Sequence, residues 1–398
     1  MGITHIILRF ARAVEYYGLL AKHFLLKPIA QILYGGKHIW LICERGTDAR
    51  DNGYFFYRFL RERYPQQKAY YVIEKKSADY PKVEKLGNVV EKESLKHWLL
   101  HLGAEVIICT HNTGYVPGEN WRYKRFISRQ KCNQKIVFLQ HGITLNGIQG
   151  LHKENTNFSL FICGAKLEYE SILKEFGYSK NEVKYTGFAR FDHLHHFTAK
   201  RQVLIMPTWR DWLSPNFSGS KLSETDVEHS IYVQKWSALL KNDRIRALAK
   251  RFNVQFIFYP HYEMQPFLHL FGKGDKQMIL ADFAHFDVQN LLKESMLLIT
   301  DYSSVFFDFA YMEKPVLYYQ FDEAEFRAHH YAQGYFDYRR DGFGEVVTDE
   351  TALLDLIEHY LAENCHLKPI YQQKINGFFP LHDDKNCERI YTEIIKLQ

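Results

Sequence analysis

Leu298-Ile299-Thr300-Asp301-Tyr302-Ser303-Ser304-Val305-Phe306-Phe307-Asp308 is the stretch on which the fold turns. An apolar run ends in an acid, two hydroxylated residues follow, and an apolar pattern with helical spacing begins at once. This reads as a strand, a tight turn and a helix, the βα unit of a parallel sheet. Ser303 or Ser304 is expected to cap the helix, where exposed N–H groups form an anion site. Asp308, one turn in, is placed to reach a ribose hydroxyl, as acids do in nucleotide-binding folds. An ordinary N-cap explains the serines but not the whole strand-hydroxyl-acid arrangement.

The same alternation extends both ways. Residues 203–206, 255–259, 297–300 and 316–319 read as strands, with helical stretches at 229–251, 305–312 and 351–362. Upstream, 38–43, 70–73, 105–109, 136–139 and 160–163 read as buried strands, with helices at 54–63, 95–102 and 167–176. The fold class is therefore α/β, with two Rossmann-like domains facing a cleft and an N-terminal amphipathic helix. The expected divisions are 1–37 for the helical segment, 38–197 and 198–365 for the two domains, and 366–398 for a helical tail with a break near Phe379-Pro380. Residues 188–200 cross between the halves.

Ligands of such sheets bind at the carboxyl ends of strands, so the residues just after each strand are the candidates. Three further ends stand out. Phe138-Leu139-Gln140-His141-Gly142 delivers a histidine into a loop, with Gly142 allowing close backbone approach. A structural histidine bonded to a loop carbonyl is the plainer alternative. Met206-Pro207-Thr208-Trp209-Arg210-Asp211 presents a hydroxyl, an aromatic plane and a guanidinium suited to phosphate. A turn with Arg210 paired to Asp211 is its plain alternative. Phe258-Tyr259-Pro260-His261-Tyr262 brings a second histidine to a strand end.

Composition narrows the class. Apolar residues make up 46% and charged residues 24%, with a net charge of +5, which excludes a wholly disordered chain. Much of the excess charge lies in the first forty residues, where Arg9, Arg12, Lys22, Lys27 and Lys37 face Glu15 alone. The nearly neutral body argues against nucleic acid as a partner. The basic start points to an anionic membrane surface. There Ile3, Ile7, Phe10, Val14, Tyr17, Ala21 and Phe24 form a stripe at helical spacing, which suits either lipid or a domain core. Pro28 is expected to end or bend that helix. No apolar run is long enough to span a bilayer, and no secretory signal is apparent. The six cysteines show no Cys-x-x-Cys spacing and read as buried free thiols in a reducing cytosol. Asp192-His193-Leu194-His195-His196 lacks zinc-site spacing.

At these strand ends the sequence resembles the CDP-glycerol glycerophosphotransferase family of teichoic acid polymerases and capsule-synthesis enzymes. Residues 300–310, Thr-Asp-Tyr-Ser-Ser-Val-Phe-Phe-Asp-Phe-Ala, carry the most specific match. Pro207-Thr208-Trp209-Arg210, His141-Gly142, Gly187-Phe188-Ala189-Arg190-Phe191-Asp192 and Gly334-Tyr335-Phe336-Asp337-Tyr338 also fit. The resemblance implies a glycosyltransferase-B type fold, with an acceptor domain first and a CDP-donor domain second. It implies a transferase that moves glycerol phosphate or ribitol phosphate from a CDP-alditol to a hydroxyl of a teichoic-acid-like or capsule polymer, releasing CMP. It makes His141 and His261 the catalytic pair, with Gly142, Thr208, Arg210, Asp301, Ser303, Ser304 and Asp308 on the donor. It also implies a polyol phosphate or a lipid-linked glycan as acceptor, and an enzyme peripheral on the cytoplasmic face of a bacterial membrane.

No Asp-x-Asp motif is present, so neither a metal site nor a strict metal requirement is expected, and no cofactor besides the CDP-alditol substrate. One departure stands out. After His-Gly the family often has Thr-Pro-Leu-Lys, whereas this chain has Ile143-Thr144-Leu145-Asn146. No second transferase module is seen, so no alternating sugar–alditol polymer is expected from this chain alone. A nucleotide-sugar glycosyltransferase of the same fold and a non-catalytic membrane-associated assembly subunit are the competing readings.

Overall fold

The computed structural model describes residues 3–129, 134–214 and 223–397, with side chains from residue 9 onward. It divides into two compact units. The first comprises residues 1–143, 148–192 and 383–398, and the second residues 144–147 and 193–382.

The first unit holds β1 (Trp40–Cys43), β2 (Ala69–Ile73), β3 (Val89–Glu91), β4 (Val106–Cys109), β5 (Lys135–Phe138), β6 (Leu160–Cys163) and β7 (Val183–Tyr185). They form one parallel sheet in the order β3-β2-β1-β4-β5-β6-β7. The second unit holds β8 (Gln202–Ile205), β9 (Gln255–Phe258), β10 (Met278–Leu280), β11 (Leu297–Thr300), β12 (Val316–Tyr319) and β13 (Gly344–Val347). Their order is β10-β9-β8-β11-β12-β13, again all parallel. Inner strands such as β1, β4, β8 and β11 are buried on both faces, which is why they read as unbroken apolar runs. Strand order reverses between β1 and β4, where Cys43 lies opposite Cys109, and between β8 and β11, where Ile205 lies opposite Ile299. These are the switch points at which open α/β sheets bind ligands.

The four strands that the sequence reading missed, β3, β7, β10 and β13, are the sheet edges. Each is only three or four residues long and partly exposed, so its apolar signal is weak. The expected helix over 229–251 is two helices, Ile231–Lys241 and Asp243–Arg251. Asn242 takes an extended backbone between them and caps the second by accepting from the Arg244 N–H.

Two other expectations change. Pro28 does not end the first helix: α1 (Ile3–Tyr34) runs through it. Tertiary contacts hold the last turns, since Ala30 is buried and Gln31 Nε2 donates to Leu102 O at 2.9 Å. The tail beyond residue 366 is not one piece. Helix Pro369–Phe378 belongs to the second unit, with Phe378 stacked on Phe307. Helix Asn386–Ile395 belongs to the first, where the Asp192 carboxylate accepts the Asn386 and Cys387 N–H groups. Gly187 makes this possible: its φ is +76°, and a Cβ there would lie 1.9 Å from Asn386 Oδ1.

Five cysteines are free and buried. Cys132 lies outside the described residues.

Helix α1 is apolar on two sides. Leu19, Leu20, Leu26 and Tyr34 pack on the core of the first unit, and His23 Nδ1 bonds the Tyr123 hydroxyl at 3.0 Å. Of the stripe singled out in the sequence, Phe10, Val14, Tyr17, Ala21 and Phe24 lie on the other side, and the side chains of Ile3 and Ile7 lie outside the described residues. Phe10, Tyr17 and Phe24 are 72%, 67% and 59% exposed, and Ile32 and Leu33 continue the exposed apolar surface.

Candidate active site

In the first unit the site is built at the ends of β1, β4 and β5. At the end of β5, Gln140 turns the chain with a left-handed φ of +60°. Its buried side chain donates to Ile162 O and to Glu168 Oε1. Asn52, fully buried at the start of α2 (Asn52–Arg63), donates to Leu139 O and Gln140 O and accepts from Arg190 N. That clamp fixes the turn from which His141 projects. Glu44, just after β1, secures the start of α2 by accepting from the N–H groups of Arg50, Asp51 and Tyr54. Burial, then the nearby Asp51 and Asp48, raise its pKa well above the usual carboxylate range.

His141 stacks on His111, which follows β4, with ring centroids 4.7 Å apart and planes 12° apart. Its Nδ1 lies 3.4 Å from Thr110 O. Nδ1 therefore carries the proton and Nε2 keeps its lone pair, the tautomer that a general base needs. Arg45, just after β1, donates from Nε to His111 Nε2 at 3.1 Å, so the His111 proton sits on Nδ1, facing Thr110 Oγ1 at 2.9 Å. Desolvation, then the Arg45 and Arg190 cations, lower the His141 pKa below the ordinary histidine value. His141 itself is exposed at the strand end. Burial, then His141 and Arg45, push His111 well below that value too. Both rings are neutral at pH 7. Gly142 is buried beside this turn.

In the second unit the site is built at the ends of β8, β9 and β11. Asp301 Oδ1 accepts from the N–H groups of Thr208 and Tyr302, which ties the loops after β8 and β11 together at the switch point. Arg210 lies fully buried beneath them. Its Nη2 donates to Asp301 Oδ2 at 2.9 Å, and Nε and Nη2 grip Asp322 at 2.8 and 3.0 Å. Nη1 donates to Thr208 O and Trp209 O. The rings of Tyr232, Tyr302 and Phe326 surround it at about 5 Å.

Burial works against the charged guanidinium, but Asp301 and Asp322 outweigh it and hold the Arg210 pKa above its usual range. Burial also pulls Asp301 upward. We take the pair as ionised, because Asp301 receives two backbone N–H bonds besides the guanidinium.

This placement corrects three expectations. Arg210 pairs with Asp301 and Asp322 instead of Asp211, and all its donors are committed. Asp301 faces inward. Asp308 is 3% exposed, shut away from solvent in the helix Val305–Tyr311. Arg210 and Asp301 support the loops after β8 and β11 from beneath.

The remaining members lie at the strand ends. The Thr208 hydroxyl is buried without a hydrogen-bond partner. Ser304 occupies the N-cap position but makes no side-chain capping bond, and Ser303 Oγ receives only a 3.5 Å contact from Val305 N. His261 Nδ1 accepts from Glu263 N at 3.3 Å, so in the neutral ring the proton lies on Nε2. The His261 ring stacks on Trp209 at 5.7 Å. The Trp209 ring also meets His330 edge-on at 5.0 Å. The His330 side chain is buried, and its Nδ1 lies 2.6 Å from Asp211 Oδ1. Burial, then Arg210, lowers its pKa to about 3.

His111, Arg45, Asn52 and Asp322 were missed by the sequence reading. Arg45 and His111 follow β1 and β4 directly, and the strand-end rule, applied to those strands, picks them out. The Gly334–Tyr338 motif has a packing role: Tyr338 Oη donates to Tyr302 O at 3.0 Å, and Phe336 packs on Phe306 and Phe307.

Two parallel α/β units, each with polar residues gathered at its switch point, form a fold of the glycosyltransferase-B type. The TagF wall teichoic acid polymerase has the same fold, with a TM-score of 0.68 at 16% identity over 98% of each chain. The family model described as CDP-glycerol:poly(glycerophosphate) glycerophosphotransferase matches residues 27–396, and the chain belongs to that family. It is 33% identical over 372 residues to the minor teichoic acid biosynthesis protein GgaB of Bacillus subtilis (strain 168), covering 92% of this chain and 40% of GgaB. It is 23% identical to the teichoic acid poly(glycerol phosphate) polymerase of the same strain, covering 86% of this chain and 46% of the polymerase. The chain thus spans less than half the length of these two relatives.

Proposed function

We propose that this chain transfers glycerol phosphate or ribitol phosphate from a CDP-alditol to a hydroxyl of a growing teichoic-acid-like cell-wall or capsule polymer, releasing CMP. The observation that carries the proposal is the 3.4 Å contact of His141 Nδ1 with Thr110 O, which leaves Nε2 to receive a proton. Family membership supplies the donor class.

In this reading the acceptor hydroxyl oxygen attacks the phosphorus that bears the alditol. A new P–O bond forms, the hydroxyl proton passes to His141 Nε2, and the P–O bond to CMP breaks. His261 donates from Nε2 to the departing phosphate. The Thr208, Ser303 and Ser304 hydroxyls hold the donor phosphates. Gly142 lets substrate approach the backbone, while Arg210 and Asp301 act through the loops they support. No metal or cofactor has a role, and the acceptor is a polyol phosphate or a lipid-linked glycan.

The reaction class is tested by CMP release from CDP-glycerol, CDP-ribitol, CDP-choline and UDP-sugars with a short alditol-phosphate oligomer as acceptor. Release from one CDP-alditol alone is the expected result. Turnover of a UDP-sugar in its place makes the chain a glycosyltransferase.

We further propose that the chain sits on the cytoplasmic face of the membrane through the outer side of α1. Among the described residues no helix is long and apolar enough to cross a bilayer. The exposed Phe10, Tyr17 and Phe24 suit shallow insertion, with Arg9 and Arg12 near lipid phosphates. Replacing all three aromatics with serine is expected to weaken binding to anionic liposomes by at least ~10-fold, because each buries apolar area worth ~1–2 kcal/mol. Melting temperature stays unchanged, since these side chains face away from the core. Equal liposome binding by the triple variant rules out this face.

A further inference from the structure

The helix Glu323–His329 carries Arg327, beside the loop that follows β11. The Arg327 guanidinium lies against the rings of Phe326, Tyr302 and Tyr338 at 5.7, 5.9 and 6.0 Å. Its Nη1 donates to Asn146 Oδ1 at 3.1 Å. Asn146 is buried, and the segment 144–147 belongs to the same unit as Arg327. That segment packs tightly on the loop after the helix: a Cβ on Gly334 would lie 2.1 Å from Leu145 O.

The opposite edge of the guanidinium is different. Nε and Nη2 are both buried, and neither has a hydrogen-bond partner. Among the described residues no carboxylate pairs with this cation. Nε and Nη2 form the edge whose N–H vectors run parallel, the fork that matches two oxygens of one anion. Arg210, in the same unit, uses this edge to grip Asp322. Arg327 has the same fork and no acid for it. Ring faces attract the positive charge, but they do not supply two in-plane acceptors. A shielded cation with two unmet donors is costly until an anion completes it. Position 146 also has asparagine where the family motif often has lysine, and Arg327 brings a cation to that place.

We infer that Arg327 is a phosphate-binding residue whose Nε/Nη2 edge takes two oxygens of a diphosphate or phosphodiester. The edge is closed to solvent, so binding includes a shift of the side chain off the surrounding rings. The anion class rests on the guanidinium itself. Only the identity of the substrate rests on the transfer proposed above. Two sources share this chemistry, the diphosphate of the CDP-alditol and a phosphodiester of the acceptor.

The test is calorimetric titration of the full chain with pyrophosphate, with CDP and with a short glycerol-phosphate oligomer, cytidine serving as the uncharged control. Arg327→Gln is expected to lose about 10- to 100-fold in affinity for the phosphate ligand, the range of a charge-assisted pair of hydrogen bonds. Cytidine binding is expected to stay the same. Arg327→Lys keeps the charge without the fork and recovers only part of the loss. Adding Asn146→Lys to Arg327→Gln restores a cation nearby and also recovers part. Loss with pyrophosphate and CDP assigns the site to the donor, and loss with the oligomer alone assigns it to the acceptor. The inference is overturned if folded Arg327→Gln and Arg327→Lys bind all three phosphates as the wild type does, or if the wild type binds none of them. Arg327-dependent pyrophosphate binding in a chain that releases no CMP from any CDP-alditol leaves this site standing and removes the transfer reading.

Discussion

His141→Ala lowers kcat for alditol-phosphate transfer by about 10²–10⁴-fold, the contribution of a positioned general base, while CDP affinity stays near the wild-type value. The alditol hydroxyl is a poor nucleophile, and its proton has to leave as the P–O bond forms. His141 is the ring whose other nitrogen is already committed, to Thr110 O at 3.4 Å. The expected effect falls on kcat, because His141 is proposed to take the acceptor proton and not to hold the donor phosphates.

The pH profile follows from the same geometry. A base works when neutral, so activity falls as pH drops through its pKa. With that pKa lowered, the acid limb of the wild type lies below the ordinary histidine value of about 6.5. Arg45→Met removes one of the cations responsible and moves the limb upward toward it. Steady-state rates and the pH dependence of kcat/KM check both points. A His141→Ala enzyme with near-normal kcat contradicts the assignment.

Arg210→Met destabilises the second unit by about 3–5 kcal/mol, the cost of stripping one partner from a buried ion pair. Arg210 and Asp301 are both 0% exposed, and removing the guanidinium leaves Asp301 and Asp322 without their counter-charge. It also removes the bonds that brace Thr208 O and Trp209 O, so the loop after β8 loses its floor. Arg210→Lys is expected to restore little, because a single ammonium cannot reproduce a five-donor fork shared between two carboxylates and two carbonyls. Guanidinium unfolding followed by tryptophan fluorescence measures the loss, since Trp209 and Trp236 belong to the core of this unit. A change under 1 kcal/mol contradicts the bracing role.

Strand ends were legible in the sequence where an apolar run stops abruptly at a polar residue. That is why His141, Thr208, His261 and Asp301 stood out, and why the stretch from Leu298 to Asp308 fixes a βα unit without help from structure. What a residue does after leaving its strand was less legible. Arg210 reads as a phosphate ligand from its neighbours Thr208 and Trp209. Its partners Asp301 and Asp322 lie far along the chain, and the rings that seal it come from three separate segments.

His111 and Arg45 were hidden for another reason. They meet because β1 and β4 are adjacent in the sheet while β2 and β3 lie on the far side, and local periodicity carries no information about strand order. The α1 stripe shows a further limit. Helical spacing marked Phe10, Tyr17 and Phe24 as one face, but a helix that is apolar on two sides does not reveal which side meets the core.

The most direct measurement is the stoichiometry of transfer. The chain is incubated with CDP-glycerol, or CDP-ribitol, and a short alditol-phosphate acceptor; CMP is quantified while the acceptor is weighed by mass spectrometry. One alditol-phosphate unit added per CMP released, with both signals lost in His141→Ala, is the predicted result. CMP released without growth of the acceptor, or no CMP from either donor, contradicts the assignment of this chain as a CDP-alditol transferase.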